Sequence, residues 1–142
     1  MKSLFKKIRG NKKGFTLAEL LVVVAIVGIL VAISVPVFTA QLGKARRATN
    51  NANLRAAKAA AVAEYLSDEN TRGTEPSCYK YEVDSGVISS ESKDKCTGTA
   101  VVVNTDDVSK DKIYKEIYVK VTPAEGTKAS DSVDLYPVTP AN

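Results

Sequence analysis

Apolar positions are concentrated at one end of this chain. From Phe15 to Phe38 the sequence reads FTLAELLVVVAIVGILVAISVPVF, with Glu19 as its single charge. As a helix at about 1.5 Å per residue, the run spans about 36 Å and can cross a hydrocarbon core of about 30 Å. From Val37 to about Glu69 the pattern becomes amphipathic. Phe38, Leu42, Ala45, Ala52, Ala56, Ala59, Val62, Ala63 and Leu66 recur mostly at spacings of three and four, which predicts one apolar helical stripe. Thr49, Asn50 and Asn51 interrupt it, while Lys44, Arg47, Arg55, Lys58 and Glu64 fall between stripe positions and are expected in solvent. The run Lys44, Arg46, Arg47 reads either as a solvated helix face or as a contact surface. An unbroken helix from Phe15 to Glu69 would be about 80 Å long.

Beyond the helix the period changes. Asn70 to Pro76 is a stop and a loop, with Gly73 and Pro76 as breakers. Short strands are expected at Tyr79–Val83 and Thr99–Asn104. The best alternation lies in Ile113–Thr122, with Ile113, Ile117, Val119 and Val121 on one side and Tyr114, Glu116, Tyr118 and Lys120 on the other. Lys115 is the exception on the apolar side. Val133–Val138 is a further strand, and Pro137 suggests an edge. Turns at Asn104–Lys112 and Pro123–Lys128 fit antiparallel connections. The expected fold is α+β, a long N-terminal helix packed through its alanine stripe on a small antiparallel sheet. The expected divisions are residues 1–14, an apolar helix over 15–38, an amphipathic helix over 39–70, a loop region over 71–98 and the sheet over 99–142.

Charge sharpens this division. Formal net charge is +4, but Lys2, Lys6, Lys7, Arg9, Lys12 and Lys13 all precede Phe15, and no acid does. Removing those residues leaves a net charge of −2. A slightly acidic body lacks the Lys and Arg excess that drives nonspecific nucleic-acid binding, so no nucleic-acid partner is expected. The basic segment before an apolar helix also sets its orientation, with the N-terminus held in the cytoplasm. Hydropathy alone leaves an uncleaved membrane anchor open. A generic secretory signal fits less well, because the apolar run is long and no A-x-A-like site follows it.

The junction KKGFTLAELL decides between these readings. It resembles the class III leader of type IV prepilins, in which a basic leader ends in Gly, Phe follows, and Glu stands fifth after the cut. Gly14, Phe15, Thr16, Leu17 and Glu19 all match, and Pro36 matches the family's helix-interior proline. The resemblance covers residues 1 to about 40 strongly and the rest loosely. It implies a pilin fold, cleavage after Gly14 by a membrane prepilin peptidase, and methylation of the new Phe15 amine. It further implies a homo-oligomeric filament raised on an inner-membrane assembly platform from a membrane-held precursor. Glu19 would meet the Phe15 amine of a neighbouring subunit; the competing reading is a carboxylate that snorkels to the interface. The stretch bounded by Gly28 and Pro36 would loosen on assembly. Both residues also occur as ordinary tolerances of membrane helices.

Cys78 and Cys96 lie outside the cytoplasm in this topology, which makes a disulfide the expected state and two free thiols the alternative. The bridge would staple the loop after the helix, unlike the C-terminal bridge of many pilins. There is no histidine, the commonest metal ligand and general base, and no metal or cofactor is expected. Asp131 and Asp134 are too sparse for a calcium loop and read as solvated acids. No nucleophile–base pair or phosphate loop is present, which argues against an enzyme. The expected function is a structural subunit of a type IV pilus; the alternative is a pseudopilin of a type II secretion or DNA-uptake system.

Overall fold

The computed structural model describes residues 16–69, 75–124 and 132–138. Contacts divide the chain into two compact units, Met1–Ala40 and Gln41–Asn142. Helix α1, Leu17–Ser67, contributes to both. Four strands follow: β1 (Ser77–Glu82), β2 (Val87–Glu91), β3 (Glu116–Thr122) and β4 (Ser132–Val138). A short 3₁₀ turn, Lys93–Lys95, follows β2.

In the first unit, α1 is apolar on all sides, and its side chains from Leu17 to Phe38 are exposed. This stretch is long and apolar enough to span a membrane.

In the second unit the strands form one antiparallel sheet in the order β2-β1-β3-β4. The fold is α+β. Tyr79 lies opposite Val119, and Val119 opposite Leu135, so inward residues line up across the sheet. Strand β3 alternates strictly, with Ile117, Val119 and Val121 buried and their neighbours half-buried. These residues meet Leu54, Ala57, Ala61 and Tyr65 of α1, and Val108 and Tyr114 complete the core. On the outer face Lys80 bonds Glu116 at 2.8 Å, which holds the lysine above its ordinary pKa. A raised lysine contributes stability below its unfolded value near pH 10.4, and the contribution fades as pH rises through the folded value. The exposure of the pair keeps that contribution small.

Several expectations are corrected. The predicted stripe is not the core face: Leu42, Ala45, Ala52, Ala56, Ala59, Ala63 and Leu66 are exposed, and Val62 is half-buried. The buried face is Asn50, Leu54, Ala57, Ala61 and Tyr65. Leu54 and Tyr65 bring far more apolar area than the alanines that make up most of the predicted stripe. Thr99–Asn104 forms no strand. Its backbone joins the sheet side through Val101 N–H to the Leu135 carbonyl at 2.8 Å, and Val102 faces solvent. Strand β2 lies where a loop was expected. It pairs with β1 through a turn closed by Gly86 N–H on the Glu82 carbonyl at 2.8 Å. Gly86 has φ +68°, a conformation that glycine adopts without steric cost. Before β3 the alternation is reversed, with Tyr114 buried and Ile113 exposed.

The polar interruption of the helix proves structural. Asn50 is completely buried. Its amide donates to the Ser109 carbonyl at 2.9 Å and the Lys112 carbonyl at 2.8 Å, and its oxygen accepts Tyr114 N–H at 3.0 Å. The Tyr114 hydroxyl in turn accepts Ser109 N–H at 2.8 Å. Around this centre Arg46 reaches the Asp111 carbonyl and Arg47 reaches Asp106, at 2.8 and 3.0 Å. Asn104, a non-glycine residue at φ 67°, is held by Asn51 on its N–H and by Arg55 on its side-chain oxygen. Arg46, Arg47 and Arg55 therefore clasp the loop between Val103 and Lys115 rather than standing free in solvent.

A disulfide joins Cys78 and Cys96, with Cα atoms 5.9 Å apart. It ties β1 to the residue after the 3₁₀ turn, and Glu75 and Lys93 add an ion pair nearby. With the cysteines 18 positions apart in sequence, the chain-entropy model assigns the bridge about 3 kcal/mol.

Two stability predictions follow from these contacts. Asn50→Ala strands a buried N–H and two carbonyl oxygens and will cost about 3 kcal/mol, since each buried unsatisfied group costs about 1–3. The urea midpoint of the oxidised full chain in detergent reads this directly; an unchanged midpoint would refute the clasp. Replacing both Cys78 and Cys96 by Ser will lower stability by about 3 kcal/mol in the same titration. Reductant will lower the wild-type midpoint and leave the double variant unmoved.

Candidate functional site

Gly14 and Phe15, the expected cut and methylation site, lie outside the described residues. The chain immediately after them does not. Thr16 precedes the first helical residue, and Glu19 stands three positions later. Thr16 N–H donates to Glu19 Oε2 at 3.0 Å, and Glu19 N–H donates to Thr16 Oγ1 at 3.3 Å. This reciprocal pair is a capping box, which satisfies two of the backbone donors left unpaired at a helix start. The T-x-x-E spacing is legible in the sequence, and Thr16 is the residue that a reading centred on charge passes over. Glu19 also places a carboxylate at the positive end of the helix macrodipole. Its side chain is exposed, and only one of its oxygens appears in these bonds.

Gly28 sits on the exposed helix, with no atom within 4 Å of where a Cβ would stand. Close packing within one subunit therefore does not require glycine there. Pro36 lies inside α1, where it can donate no N–H to the turn before it. Neighbouring hydroxyls bond the backbone on both sides: Ser34 donates to the Leu30 carbonyl at 2.6 Å and Thr39 to the Pro36 carbonyl at 3.0 Å. Hydroxyls are one means by which a membrane helix carries an internal proline.

The second unit offers little chemistry. Arg47, Asp106, Ser109 and Lys110 line an open pocket of about 370 Å³, in which Arg47 Nε is buried without a hydrogen-bond partner. Its charges largely cancel, and Arg47 is already paired with Asp106. Among the described residues no cluster of His, Cys, Asp or Glu could hold a metal. Asp134 lies on β4, and Asp131 falls outside the described residues. Burial raises the Tyr136 hydroxyl pKa, with Asp134 adding to the shift.

Comparison with known proteins places this arrangement. Residues 9–35 match the prokaryotic N-terminal methylation motif. Two type IV major fimbrial proteins, FimA of Dichelobacter nodosus, are each 32% identical over 128 residues, which cover 89% of this chain and 74% and 75% of theirs. The chain belongs to the type IV pilins. The fimbrial protein EcpC of Eikenella corrodens is 41% identical over 58 residues, 41% of this pilin and 37% of that protein. No solved structure matches. The FimA likeness covers 89% of the chain, so the pilin assignment does not rest on the leader motif alone.

Proposed function

We propose that this pilin is a structural subunit of a type IV pilus. The observation that carries the reading is the combination of a methylation motif over residues 9–35 with major fimbrial relatives along 89% of the chain. Relatives named for fimbriae favour a pilus over a secretion or DNA-uptake pseudopilin, and a structural over a catalytic role. The precursor is held in the cytoplasmic membrane by α1, with the basic leader inside. A prepilin peptidase cuts between Gly14 and Phe15 and methylates the new amine. Glycine suits the cut, because without a Cβ it can lie extended against a protease backbone. The inner-membrane platform then moves the subunit into an extracellular filament. Gly28 and Pro36 each lower helix stability, Pro36 by about 3 kcal/mol relative to alanine, and mark where α1 loosens on leaving the lipid.

Cleavage changes the electrostatics of the end that assembles. It removes six positive charges and creates one amine, cationic near neutral pH. Glu19 is the single charge of the apolar segment. It answers that amine on a neighbouring copy and sets the register between subunits. The pairing also offsets the several kcal/mol that an isolated carboxylate costs in lipid.

The capping box allows a clean test, because glutamine caps at the third helical position as glutamate does but carries no charge. Glu19→Ala and Glu19→Gln will both be cut at Gly14 and methylated, as intact mass will show. Neither will raise normal numbers of sheared surface filaments. Normal piliation in Glu19→Gln would reduce the role of Glu19 to capping and refute the charge pairing. Wild-type filaments whose main protein begins at methyl-Phe15 support the pilus reading; a wild type with no surface filament of this protein overturns it.

A further inference from the structure

The helical charges that follow the apolar segment are at first all positive. Between Glu19 and Glu64 helix α1 carries no acid, and its first charges after Phe38 are Lys44, Arg46 and Arg47. At about 100° per residue these three fall within an arc of about 160°, centred close to Gly43. The clasped loop brings a fourth cation to the same place. The Cβ and the carbonyl oxygen of Lys110 each lie 3.8 Å from where a Cβ on Gly43 would stand. Asn50 and Arg46 hold the loop there through the carbonyls on either side, those of Ser109 and Asp111. Lys44 and Lys110 are exposed, and among the described residues neither ammonium has a hydrogen-bond or ion-pair partner. Asp106 is paired with Arg47, which leaves Lys44, Arg46, Lys110 and Lys112 against Asp107 and Asp111. The cluster therefore carries +2. Residues 15–142 as a whole carry −2, so the rest of them carries −4.

We infer that Lys44 and Lys110 bind the phosphates of anionic phospholipids and so seat the second unit on the membrane surface before the subunit enters a filament. The inference rests on the reading in which α1 holds the precursor in the membrane. Depth selects this occupant. Lys44 stands six residues after Phe38, about 9 Å along the helix. Headgroups extend about 5–7 Å beyond the hydrocarbon on each side of a bilayer. A lysine lays its stem along apolar surface and carries its ammonium to the phosphates, so Lys44 reaches them, as does Lys110 beside Gly43. Charge selects it as well. An anionic surface attracts the +2 cluster and repels the acidic remainder, which turns the unit toward one orientation. The two kinds of cation divide the work. Arg46 and Arg47 use their planar forks to hold the loop, while the lysines remain flexible point charges suited to mobile phosphates.

The test reconstitutes the full chain in lipid nanodiscs, where both faces of the bilayer are open to reagents. One set is made of phosphatidylcholine alone, the other of equal parts phosphatidylcholine and phosphatidylglycerol. Lysines are acylated briefly with a water-soluble N-hydroxysuccinimide ester and read by peptide mass spectrometry. Lys44 and Lys110 will react at least about fivefold more slowly in the anionic discs. Salt at about 1 M, where the Debye length falls to about 3 Å, will remove the difference. Lys58, exposed on the same helix and about 30 Å beyond Phe38, will react alike in both sets. Inorganic phosphate added to the neutral discs will protect neither lysine. Equal rates at Lys44 and Lys110 in the two sets, slowing that extends to Lys58, or protection by free phosphate would each overturn the inference while leaving the pilus reading intact. A chain that does not co-elute with the discs would overturn the membrane reading and the inference with it.

Discussion

Helix α1 has to be apolar toward more than one surrounding, and the rest of the structure follows from how it divides its surface. Over Leu17–Phe38 it is apolar on every side, as lipid requires of a backbone whose polar groups can be satisfied only within the helix. Beyond Gln41 it turns one face to a four-stranded sheet and buries Leu54, Ala57, Ala61 and Tyr65 there. The sheet is too small to enclose a core by itself, and hairpins of this size need a packed layer to be stable. The helix supplies that layer, and the inward alternation of β3 is matched to it.

What could be read from the sequence divides along the same line. The apolar run and the junction beside it were fully legible, because a membrane span has a length and hydrophobicity that no soluble element needs. The α+β class was legible too, since the period changes from helical to alternating after Pro76. The core face of the helix was not. Counting positions at spacings of three and four treats Ala56 and Leu54 alike, yet a buried leucine contributes roughly 1.5–3 kcal/mol and an alanine much less. The count therefore found the longer alanine series. The shorter series, which starts at a polar residue and carries Leu54 and Tyr65, was the one that folds the subunit.

Asn50 shows why polarity was a misleading guide. In a helix an asparagine usually competes with the backbone and weakens the pattern. Here its carboxamide replaces backbone partners for a loop with no strand to pair with, bonding two carbonyls and one N–H at 2.8–3.0 Å. The expected strand at Thr99–Asn104 has strong β formers, AVVV, but its backbone needs are met through Leu135 and the clasp instead. Propensity yields to this arrangement because Val108 and Tyr114, from the same loop, fill the core. A second neighbouring β segment, Val87–Glu91, has weaker local character and still becomes a strand, because β1 offers it a free edge through a tight glycine turn.

Glu19 joins the local and the intermolecular demands on α1. A carboxylate near the start of a membrane helix has two oxygens, and here Oε2 holds Thr16 N–H. That bond reduces the number of unsatisfied donors at the helix start, which lipid would penalise. The helix dipole adds a modest stabilisation of negative charge at the same place. The carboxylate is thus tied to its own chain before any partner arrives. Aspartate could cap the helix but would reach a shorter distance, and glutamine could cap it without charge. Glutamate at this position serves the fold of one subunit, and in the assembly we propose it also presents an anion to the amine of the next. In that proposal one side chain couples completion of the helix to recognition of a cleaved neighbour.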